Sequence, residues 1–466
     1  MNHSLLVLSQ DAPSRFLAAH MLRARQIDAL PCAADEVTPE LLNCRGVIIA
    51  DECGWPLDTG LPVLCLNGAA VQLCEALGGV ALPREDRGLC DLSLRSGPLF
   101  TELSGEGCML RRAQPLELPH PLEGIEYAGE ACLGFRVKGR EVYGVQYPID
   151  RNDPAAGQLL WNFAVLICGA AEDFTEERMV TEICDTLADQ ARGEVLCTVS
   201  GGVDSSLCAV LAHRVLGNRV HCVLVDNGLL RKGERERIAS LYSTQLKLPL
   251  EEIDCEERFI HALRGFQNAE RKESAARRCM AEVLENYLDA HPQIETMVLG
   301  TNLNDLQYDA EALNGLKRRL RVVEPLRRLF KDEVRLAADE QELPPEIVSR
   351  QPFPASGLCC RVLGEVTVER LRLLRAADFC FRRQVEEGGH ARKLYQYYAT
   401  LCENPDQPET YAVCLRAVQA TEMGGMAARL PFDVLESTSR EILNDCPGVR
   451  RVVYDLSPSA HYTEEG

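Results

Sequence analysis

The chain has 466 residues, 46% of them hydrophobic, and a formal net charge of −20 at pH 7. This length and apolar content predict two or three domains with several buried cores. The acidic charge argues against a general nucleic-acid surface, which needs a basic stripe, but it leaves room for a local basic pocket that binds a phosphorylated substrate.

Cysteine usage and the lengths of apolar runs bear on the cellular compartment. The 21 cysteines show no repeated spacing and no CxxC pair of the metal-binding type, so we expect free thiols in a reducing cytoplasm. No apolar run reaches the roughly 18 residues of a membrane span, and the first residues lack a secretory signal pattern. We therefore expect a cytoplasmic protein with neither nucleic acid nor membrane as a partner.

The first block, residues 1–170, alternates strand-like and helix-like segments. The run "SLLVLS" is a buried strand pattern, and "APSRFLAAHMLRARQI" is a helical pattern. Further strand-like runs are "GVIIAD", "PVLCLN" and "EVYGVQY". Alternation of this kind predicts a parallel α/β sheet.

The second block, residues 175–355, repeats this organisation, and the third, residues 356–466, does not. The second block contains the strand-like runs "EVLCTVS", "VHCVLVDN", "LPLEEIDC" and "TMVLGTN", with amphipathic helices between them. The third block has fewer strands and two good helical patterns. We predict an α/β protein with two doubly wound parallel-sheet domains plus a small C-terminal α+β domain.

A loop between the first strand and helix of the second block carries the clearest chemical signal. The loop reads "SGGVDSS", and its residues are Ser200, Gly201, Gly202, Val203, Asp204, Ser205 and Ser206. Two glycines let the backbone turn and approach a ligand closely, while the helix N-terminus offers free N–H groups. The serine hydroxyls add donors, so the loop suits a pyrophosphate group.

Two alternatives for this loop can be weighed from its residues. It matches neither the Walker pattern nor the GxGxxG dinucleotide turn. A tight turn that merely caps the helix is the plain alternative, which two glycines and three serines in seven residues disfavour. Asp204 is unusual in an anion site, and we expect it either to cap the helix or to help hold a magnesium ion.

The loop and several later segments resemble one family. "SGGVDSS" is similar to the pyrophosphate loop of the N-type ATP pyrophosphatases. The segments that resemble the glutamine-hydrolysing GMP synthase family, in that family's order, are "VLVDNGLLRKGE", "RFIHALRGF", "VVEPLRRLFKDEVR", "QPFPASGLCCRVLGEV", "YAVCLRAV" and "RRVVYDLS". The resemblance covers nearly the whole chain and includes a first block like a class I glutamine amidotransferase.

The resemblance implies a two-step reaction with ATP and Mg²⁺ as cofactors. ATP adenylylates the C2 oxygen of xanthosine monophosphate (XMP), and ammonia then displaces AMP to give GMP. The loop would hold the β- and γ-phosphates. The further ATP-site residues that the resemblance implies are Val225, Asp226, Gly228, Lys331 and Asp332. It also implies a homodimer formed through the third block.

The amidotransferase half departs from the family pattern at the catalytic positions. Alignment of "PVLCLNGAAVQLCEALGG" places Asn67 at the nucleophile position, without the glycine pattern that forms the elbow, and Cys65 lies within the preceding strand. In "YGVQYPID", Pro148 stands for the catalytic histidine and Asp150 for the glutamate that orients it. The glutamine-binding stretch reads "RRAQ" and the oxyanion turn reads "DECGWP". We predict no glutaminase activity.

The acceptor side is also altered. The family's lid region is about ten residues shorter here, Tyr308 replaces a glutamate, and the C-terminal "PSAHYTEEG" contains no lysine. Asp305, Arg361 and Arg416 match family positions, and we expect them to be available to an acceptor. For the two arginines, ordinary ion pairs are the plain alternative.

Three functions remain open from the sequence. The first is a GMP synthase-type ligase that uses ammonia not released by its own first domain. The second is a relative that adenylylates a different acceptor. The third is a catalytically inactive regulatory protein that binds nucleotide, which the intact "SGGVDSS" loop disfavours.

Overall fold

The structure is a computed structural model that describes residues 4–53, 60–110, 113–151, 153–307, 314–351, 353–354, 356–421 and 424–457. The chain forms two compact units, residues 1–179 and 180–466. Each unit contains a parallel sheet, which confirms the α/β prediction.

The first unit is built on an eight-stranded mixed sheet in the order β2-β1-β3-β4-β12-β11-β10-β7. The strands of this unit are β1 (Leu5–Leu8), β2 (Ala29–Cys32), β3 (Gly46–Ile49), β4 (Val63–Leu66), β5 (Val80–Ala81), β6 (Gly88–Cys90), β7 (Ser93–Leu94), β8 (Cys108–Leu110), β9 (Leu116–Glu117), β10 (Leu122–Ala128), β11 (Ala131–Val137) and β12 (Val142–Val145). Its helices are α1 (Ala12–Arg23), α2 (Gly68–Ala76) and α3 (Pro154–Trp161).

The two halves of this sheet run differently. Strands β2, β1, β3, β4 and β12 are parallel neighbours, and β1, β3 and β4 are buried along their whole length. Full burial matches the continuous apolar runs by which these strands were predicted. Strands β11, β10 and β7 add an antiparallel half that the sequence analysis did not predict. The short pairs β5–β9 and β6–β8 lie outside this sheet.

The second unit contains a five-stranded sheet whose strands are all parallel, in the order β15-β14-β13-β16-β17. Its strands are β13 (Glu194–Thr198), β14 (Val220–Asp226), β15 (Leu250–Asp254), β16 (Ile294–Val298) and β17 (Arg321–Val323). The helices up to this unit's second sheet are α4 (Glu176–Gln190), α5 (Val203–Leu216), α6 (Glu234–Ser240), α7 (Glu256–Ala262), α8 (Ala269–Ala290), α9 (Asn314–Arg319), α10 (Lys331–Glu340), α11 (Pro345–Val348) and α12 (Val368–Glu387).

A smaller sheet follows α12. Its strands are β18 (Gln396–Glu403), β19 (Tyr411–Thr421), β20 (Gly424–Ala427) and β21 (Val449–Tyr454), and α13 (Phe432–Asp445) precedes the last of them. The long strand β19 pairs with β18 on one side and with β20 and β21 on the other. This arrangement agrees with the predicted small α+β region at the C-terminal end.

One apolar core is continuous through the second unit. Leu196 of β13, Leu284 of α8, Leu374 of α12 and Val413 of β19 belong to a single buried cluster. The two sheets of this unit therefore share their packing, and the division near residue 355 stays a prediction. Within the described ranges, no helix is both long and apolar enough to cross a membrane.

Glu126 on β10 is a buried carboxyl group in the first unit. It is fully buried, Oε2 accepts from the backbone N–H of Gln146 at 2.7 Å, and Oε1 has no hydrogen-bond partner among the described residues. Burial raises the pKa of Glu126 to about 7 from an ordinary value of 4.5, which the hydrogen bond from Gln146 only partly offsets. Glu126 therefore keeps its proton in the folded chain under conditions where the unfolded chain releases it.

We predict that the free energy of unfolding of Glu126→Gln, relative to that of wild type, is higher at pH 8 than at pH 5. Between the unfolded and folded pKa values the unfolded chain binds fewer protons, so the wild-type free energy of unfolding falls as the pH rises through this window, by about 3 kcal/mol in all. Glutamine has no proton to lose. Thermal unfolding of the full chain at both pH values measures the effect, with Glu130→Gln in the exposed β10–β11 turn as control. An equal gap between wild type and Glu126→Gln at both pH values contradicts the prediction.

Candidate functional site

The loop "SGGVDSS" joins β13 to α5 at the carboxyl end of the five-stranded sheet. Strand β13 ends at Thr198, Gly201 has a φ of +72°, and α5 begins at Val203 with Gly202 as its N-cap. The first N–H groups of a helix have no partner within the helix, and the helix dipole is positive at this end. The loop therefore gathers donors and partial positive charge in one place, which suits an anionic ligand.

Gly201 is a position where no side chain fits. A Cβ atom there would lie 2.6 Å from Cγ1 of Ile238 and 2.9 Å from a guanidinium nitrogen of Arg350, and the positive φ disfavours any other residue. At Gly202 a Cβ atom would meet only the Ser200 hydroxyl, at 3.4 Å. The two glycines thus have different structural roles. Gly201 permits the turn, and Gly202 leaves the backbone accessible to a ligand.

The serine hydroxyls of the loop divide into two kinds. The hydroxyls of Ser200 and Ser205 are 3.2 Å apart, and the N–H of Gly202 donates to Ser200 Oγ at 3.4 Å. The hydroxyl of Ser206, which the sequence analysis grouped with them, is fully buried and lies 2.8 Å from the Tyr242 hydroxyl. The hydroxyls of Ser200 and Ser205 can therefore contact a ligand, whereas the hydroxyl of Ser206 bonds α5 to Tyr242.

Asp204 lies in the first turn of α5 and has two side-chain partners. Its carboxylate accepts hydrogen bonds from Nζ of Lys331 and, at 3.2 Å, from Nδ2 of Asn302. The N–H of Lys331 donates to Oδ1 of Asn304 at 3.0 Å, and the N–H of Asn302 donates to Asp305 at 3.2 Å. The sequence analysis assigned Asp204, Lys331 and Asp305 separately, and the structure brings them into one hydrogen-bonded group.

This group fits a divalent cation that accompanies a phosphate. Burial raises the pKa of Asp305, and the negative charge of nearby Asp204 raises it further, while the ammonium group of Lys331 lowers it. Asp204 and Asp305 are the carboxyl groups of this set that would hold the cation. Carboxylate and hydroxyl oxygens are the ligands that Mg²⁺ prefers. Asp332 lies exposed in the first turn of α10, next to Lys331.

The buried end of β14 and the turn after it lie at the same edge of the sheet. Val225 and Asp226 are 7% and 8% exposed, and Gly228 has a φ of +65°. A Cβ atom on Gly228 would lie 2.4 Å from Cγ of Glu256. Asp226 forms an ion pair with Arg235 at 2.9 Å. The segment is therefore fixed before a ligand binds, at the strand ends where sheets of this type bind ligands.

Arg361 is a fully buried arginine close to this edge. None of its three guanidinium nitrogens has a hydrogen-bond partner among the described residues. Its guanidinium carbon lies 4.3 Å from the ring centre of Tyr398 and 5.3 Å from that of Phe353. The closest charge is Asp378, 3.8 Å away. Arg361 is thus a buried cation with unused donors and a long ionic contact.

Arg231, which the sequence analysis did not single out, lies in the same cluster. It is 9% exposed, its Nε is 3.6 Å from Asp378, and two of its nitrogens lack hydrogen-bond partners within the described part of the chain. Its guanidinium carbon lies 4.2 Å from the ring centre of Phe353. Burial lowers the pKa of Arg231, because the charged form is poorly solvated. An anion bound here would relieve that cost.

A cavity of about 200 Å³ opens beside Arg231 and Asp378. Its wall carries both signs of charge, with a net excess of positive groups. The other charged residues that line it are Lys232, Glu234, Arg237, Arg382, Arg383 and Glu386. Arg416 is set apart from this cavity wall: it forms an ion pair with Asp455 at 3.3 Å. For Arg416 the structure thus shows the ion pair that was the plain alternative, while its cross-strand neighbour is Tyr398, against which Arg361 packs.

In the first unit, Asn67 occupies a strained turn between β4 and α2. Its φ is +48° and its ψ is −118°, and its N–H donates to the carbonyl of Val145 at 2.8 Å. A Cβ atom on the next residue, Gly68, would lie within 2.9 Å of side-chain atoms of Asp51 and Glu52. The strand-to-helix turn that displays a nucleophile is therefore formed without the family's glycine pattern, and it carries an amide.

The other positions of the amidotransferase half offer no substitute chemistry. Cys65 is 1% exposed within β4, and burial raises the pKa of its thiol, which disfavours the thiolate that acyl transfer needs. Pro148 has no titratable group, and Asp150 is exposed. The described residues at the turn thus provide neither a thiolate nor an imidazole, and the ionisable groups beside it are the carboxylates of Asp51 and Glu52.

Several sequence assignments lie outside the described residues. They are Arg111 and Arg112 of "RRAQ", residues 54–56 of "DECGWP", the lid residues 308–313 with Tyr308, and the C-terminal residues 458–466. Asn302, Asp378 and Arg231 are the residues of the site that sequence reasoning missed. Arg231 lies within the quoted stretch "VLVDNGLLRKGE", but nothing local to the sequence indicates its burial beside Asp378.

Comparison with protein families assigns both parts of the second unit. The NAD synthase family matches residues 176–359, which contain the loop "SGGVDSS" and the five-stranded sheet. The GMP synthase C terminal domain family matches residues 383–465, which contain the smaller sheet.

Curated relatives match along most of the chain. "GMP synthase [glutamine-hydrolyzing]" from Geobacillus kaustophilus is 37% identical over 494 residues, covering 96% of this chain and 94% of that protein. Proteins of the same name from Caldicellulosiruptor saccharolyticus and Ruminiclostridium cellulolyticum are 35% and 30% identical, with 88% and 100% of this chain covered and 86% and 99% of theirs. Identity of this extent, over nearly full length, shows that the chain belongs to the GMP synthase family.

Proposed function

We propose that the protein is an ATP-dependent ligase that adenylylates XMP and aminates it to GMP in its second unit. Membership of the GMP synthase family supports the reaction type, and the matched NAD synthase region supports use of ATP. We further propose Mg²⁺ as the accompanying cation and the cytoplasm as the location, since all 21 thiols are free.

The observation that carries this proposal is an excess of buried positive charge beside the ATP loop. Arg231, Arg350 and Arg361 are buried or nearly so, and only two buried carboxylates, Glu234 and Asp378, face them among the described residues. A buried charge without a partner is costly, so these guanidinium groups call for an anion. The phosphate of a nucleotide acceptor supplies one, and arginine suits it geometrically.

The loop and its neighbours have separate tasks in the first step. The acceptor's C2 oxygen attacks the α-phosphorus of ATP, the bond from that phosphorus to the bridging oxygen breaks, and pyrophosphate leaves. Negative charge grows on the pyrophosphate, and the donors of Gly201, Gly202, Ser200 and Ser205 are already arranged to bind it. Lys331 adds positive charge while Asp204 holds its ammonium group in place. Bound Mg²⁺ would neutralise further phosphate charge.

The second step uses ammonia, for which we propose a source outside the first unit. Ammonia attacks C2, the bond from C2 to the adenylyl oxygen breaks, and AMP leaves with the electron pair while the nitrogen loses a proton. Asn67 provides no thiolate to release ammonia from glutamine. An acceptor other than XMP remains the second candidate, because the sequence departs from the family pattern at the lid.

ATP–pyrophosphate exchange measured against a panel of nucleotides tests the proposed function. Exchange that depends on XMP supports it, and exchange that depends on another acceptor selects the second candidate. If no acceptor supports exchange, the chain is a nucleotide-binding protein without this chemistry, and the proposal is wrong.

We predict that Ser205→Ala weakens Mg·ATP binding about tenfold to hundredfold. A hydrogen bond to a charged group contributes about 1.5–3 kcal/mol, and the Ser205 hydroxyl also holds Ser200 in place. Calorimetric titration measures the affinity. Ser243→Ala is the control, because that exposed hydroxyl bonds only to helix carbonyl groups in the described structure. Equal affinities in wild type and Ser205→Ala contradict the assignment of the loop.

We predict that glutamine incubated with the protein, ATP and XMP releases no glutamate above the blank. The strained turn is formed, but Asn67 and Pro148 provide neither thiol nor imidazole. A coupled glutamate assay measures the release. Glutamate release that disappears in Cys65→Ser would show that the strand thiol reacts after all.

We propose a homodimer through the C-terminal region, and predict a solution mass of twice 51.7 kDa. Val453 lies in β21 and Leu456 follows it, and they are 37% and 72% exposed. Exposed apolar side chains at the edge of a sheet are unfavourable in water, so they favour a contact with a second copy of the chain. Light scattering at micromolar concentration measures the mass. Val453→Asp combined with Leu456→Asp should give monomer, while Leu336→Ser on α10, outside the C-terminal region and 46% exposed, should leave the dimer intact. A wild-type mass of 51.7 kDa contradicts the proposal.

A further inference from the structure

Arg350 bonds both the ATP loop and the carboxylate of Glu234 beside the cationic cluster. One of its terminal guanidinium nitrogens donates to the carbonyl oxygen of Ser200 at 2.6 Å, and the other donates to Glu234 Oε1 at 2.6 Å. Its side chain is 11% exposed. Arg350 follows α11, 150 residues along the chain from the loop carbonyl that it binds.

The bond to Ser200 determines which way the loop's first amide faces. The Ser200–Gly201 peptide bond is trans, so its C=O and N–H point in opposite directions. Because Arg350 holds the Ser200 carbonyl, the Gly201 N–H points away from Arg350. A peptide flip would move this donor out of reach of a phosphate.

Arg350 also lies against Gly201. A Cβ atom on Gly201 would lie 2.9 Å from the guanidinium nitrogen of Arg350 that binds the loop. A side chain here would therefore displace the tip of Arg350, in addition to the cost of the positive φ of +72°. The pyrophosphate loop and the Arg350 side chain are therefore packed directly against each other.

The other end of Arg350 reaches the acceptor cluster through Glu234. Glu234 is 2% exposed, and its second oxygen accepts from the N–H of Arg231 at 3.0 Å. Burial alone would raise the pKa of Glu234, but the charges of Arg350 and Arg231 outweigh it and hold the pKa below its ordinary value. The guanidinium carbons of Arg350 and Arg231 lie 6.0 and 4.2 Å from the ring centre of Phe353.

We infer that Arg350 is a positioning residue that couples occupation of the acceptor cluster to the conformation of the pyrophosphate loop. The inference rests on the proposed function. Glu234 joins the backbone N–H of Arg231 to the guanidinium of Arg350, so a phosphate bound at the Arg231 side chain fixes the segment that carries Glu234 and, through it, Arg350. A firmly held Arg350 keeps the Ser200 carbonyl in place and the Gly201 donor toward ATP. ATP and acceptor therefore bind with positive cooperativity.

The test is the affinity of a non-hydrolysable ATP analogue, measured by calorimetry with and without saturating XMP. Wild type should bind the analogue severalfold more tightly with XMP present. Arg350→Lys should lose this gain. A lysine ammonium group lacks the two separate terminal nitrogens with which the arginine bonds the Ser200 carbonyl and the Glu234 carboxylate at once. The control is Arg258→Lys, which changes an exposed arginine paired with Glu282 and should keep the wild-type gain.

A second variant separates coupling from folding. Glu234→Gln keeps the shape of the bridge but removes its charge, and it should also lose the XMP-dependent gain. Its unfolding temperature should fall, because Arg350 loses a buried carboxylate partner, so the affinity is measured at a temperature at which the variant is fully folded. In steady-state exchange, both variants should raise KM for ATP more than they lower kcat. A merely structural role would lower the amount of active enzyme and leave KM unchanged.

The outcomes distinguish this inference from the proposed function. An XMP-dependent gain that survives in folded Arg350→Lys and Glu234→Gln overturns the inference and leaves the proposed function standing. A wild-type chain that binds the analogue but gains nothing from XMP also overturns the inference, and exchange with XMP then decides the function separately. A wild-type chain that binds no ATP analogue overturns both.

Discussion

Three guanidinium groups around one phenyl ring are the constraint on which the second unit depends. The guanidinium carbons of Arg231, Arg361 and Arg350 lie 4.2, 5.3 and 6.0 Å from the ring centre of Phe353. Positive charges gathered around one ring repel one another in a medium of low polarity. The ring and the carboxylates of Asp378 and Glu234 offset part of this repulsion, and in the proposed function a bound phosphate offsets more of it.

This constraint also fixes how distant parts of the chain meet. Asp378 comes from α12, Arg231 precedes α6, and Arg361 ends the short 3₁₀ turn Gly357–Arg361. Lys272 of α8, 1% exposed, donates to the carbonyl of Val362 at 2.5 Å and so secures the segment that follows the turn. The segments that carry these charges are thus held in place by packing against α8 and α12.

The structural features that depend on residues close together in the chain could be predicted from the sequence. The strand, glycine turn and helix around "SGGVDSS" follow from local pattern, and β13 and α5 lie where they were expected. The Ser206–Tyr242 contact and the Arg350 bond to Ser200 join residues 36 and 150 positions apart, and no periodicity indicates them. The antiparallel strands β10 and β11 were missed for a related reason, since their residues alternate poorly between polar and apolar.

The turn at Asn67 has a strained backbone geometry but carries no catalytic thiol. A φ of +48° is costly for asparagine, and it persists because the N–H bond to Val145 and the close packing of Gly68 leave the chain no other path. The surroundings of the turn are anionic, with Asp51 and Glu52 beside Gly68. A thiol placed at this turn would meet negative charge, which opposes its ionisation. The turn thus combines a backbone shape that could present a nucleophile with surroundings that would keep a thiol protonated.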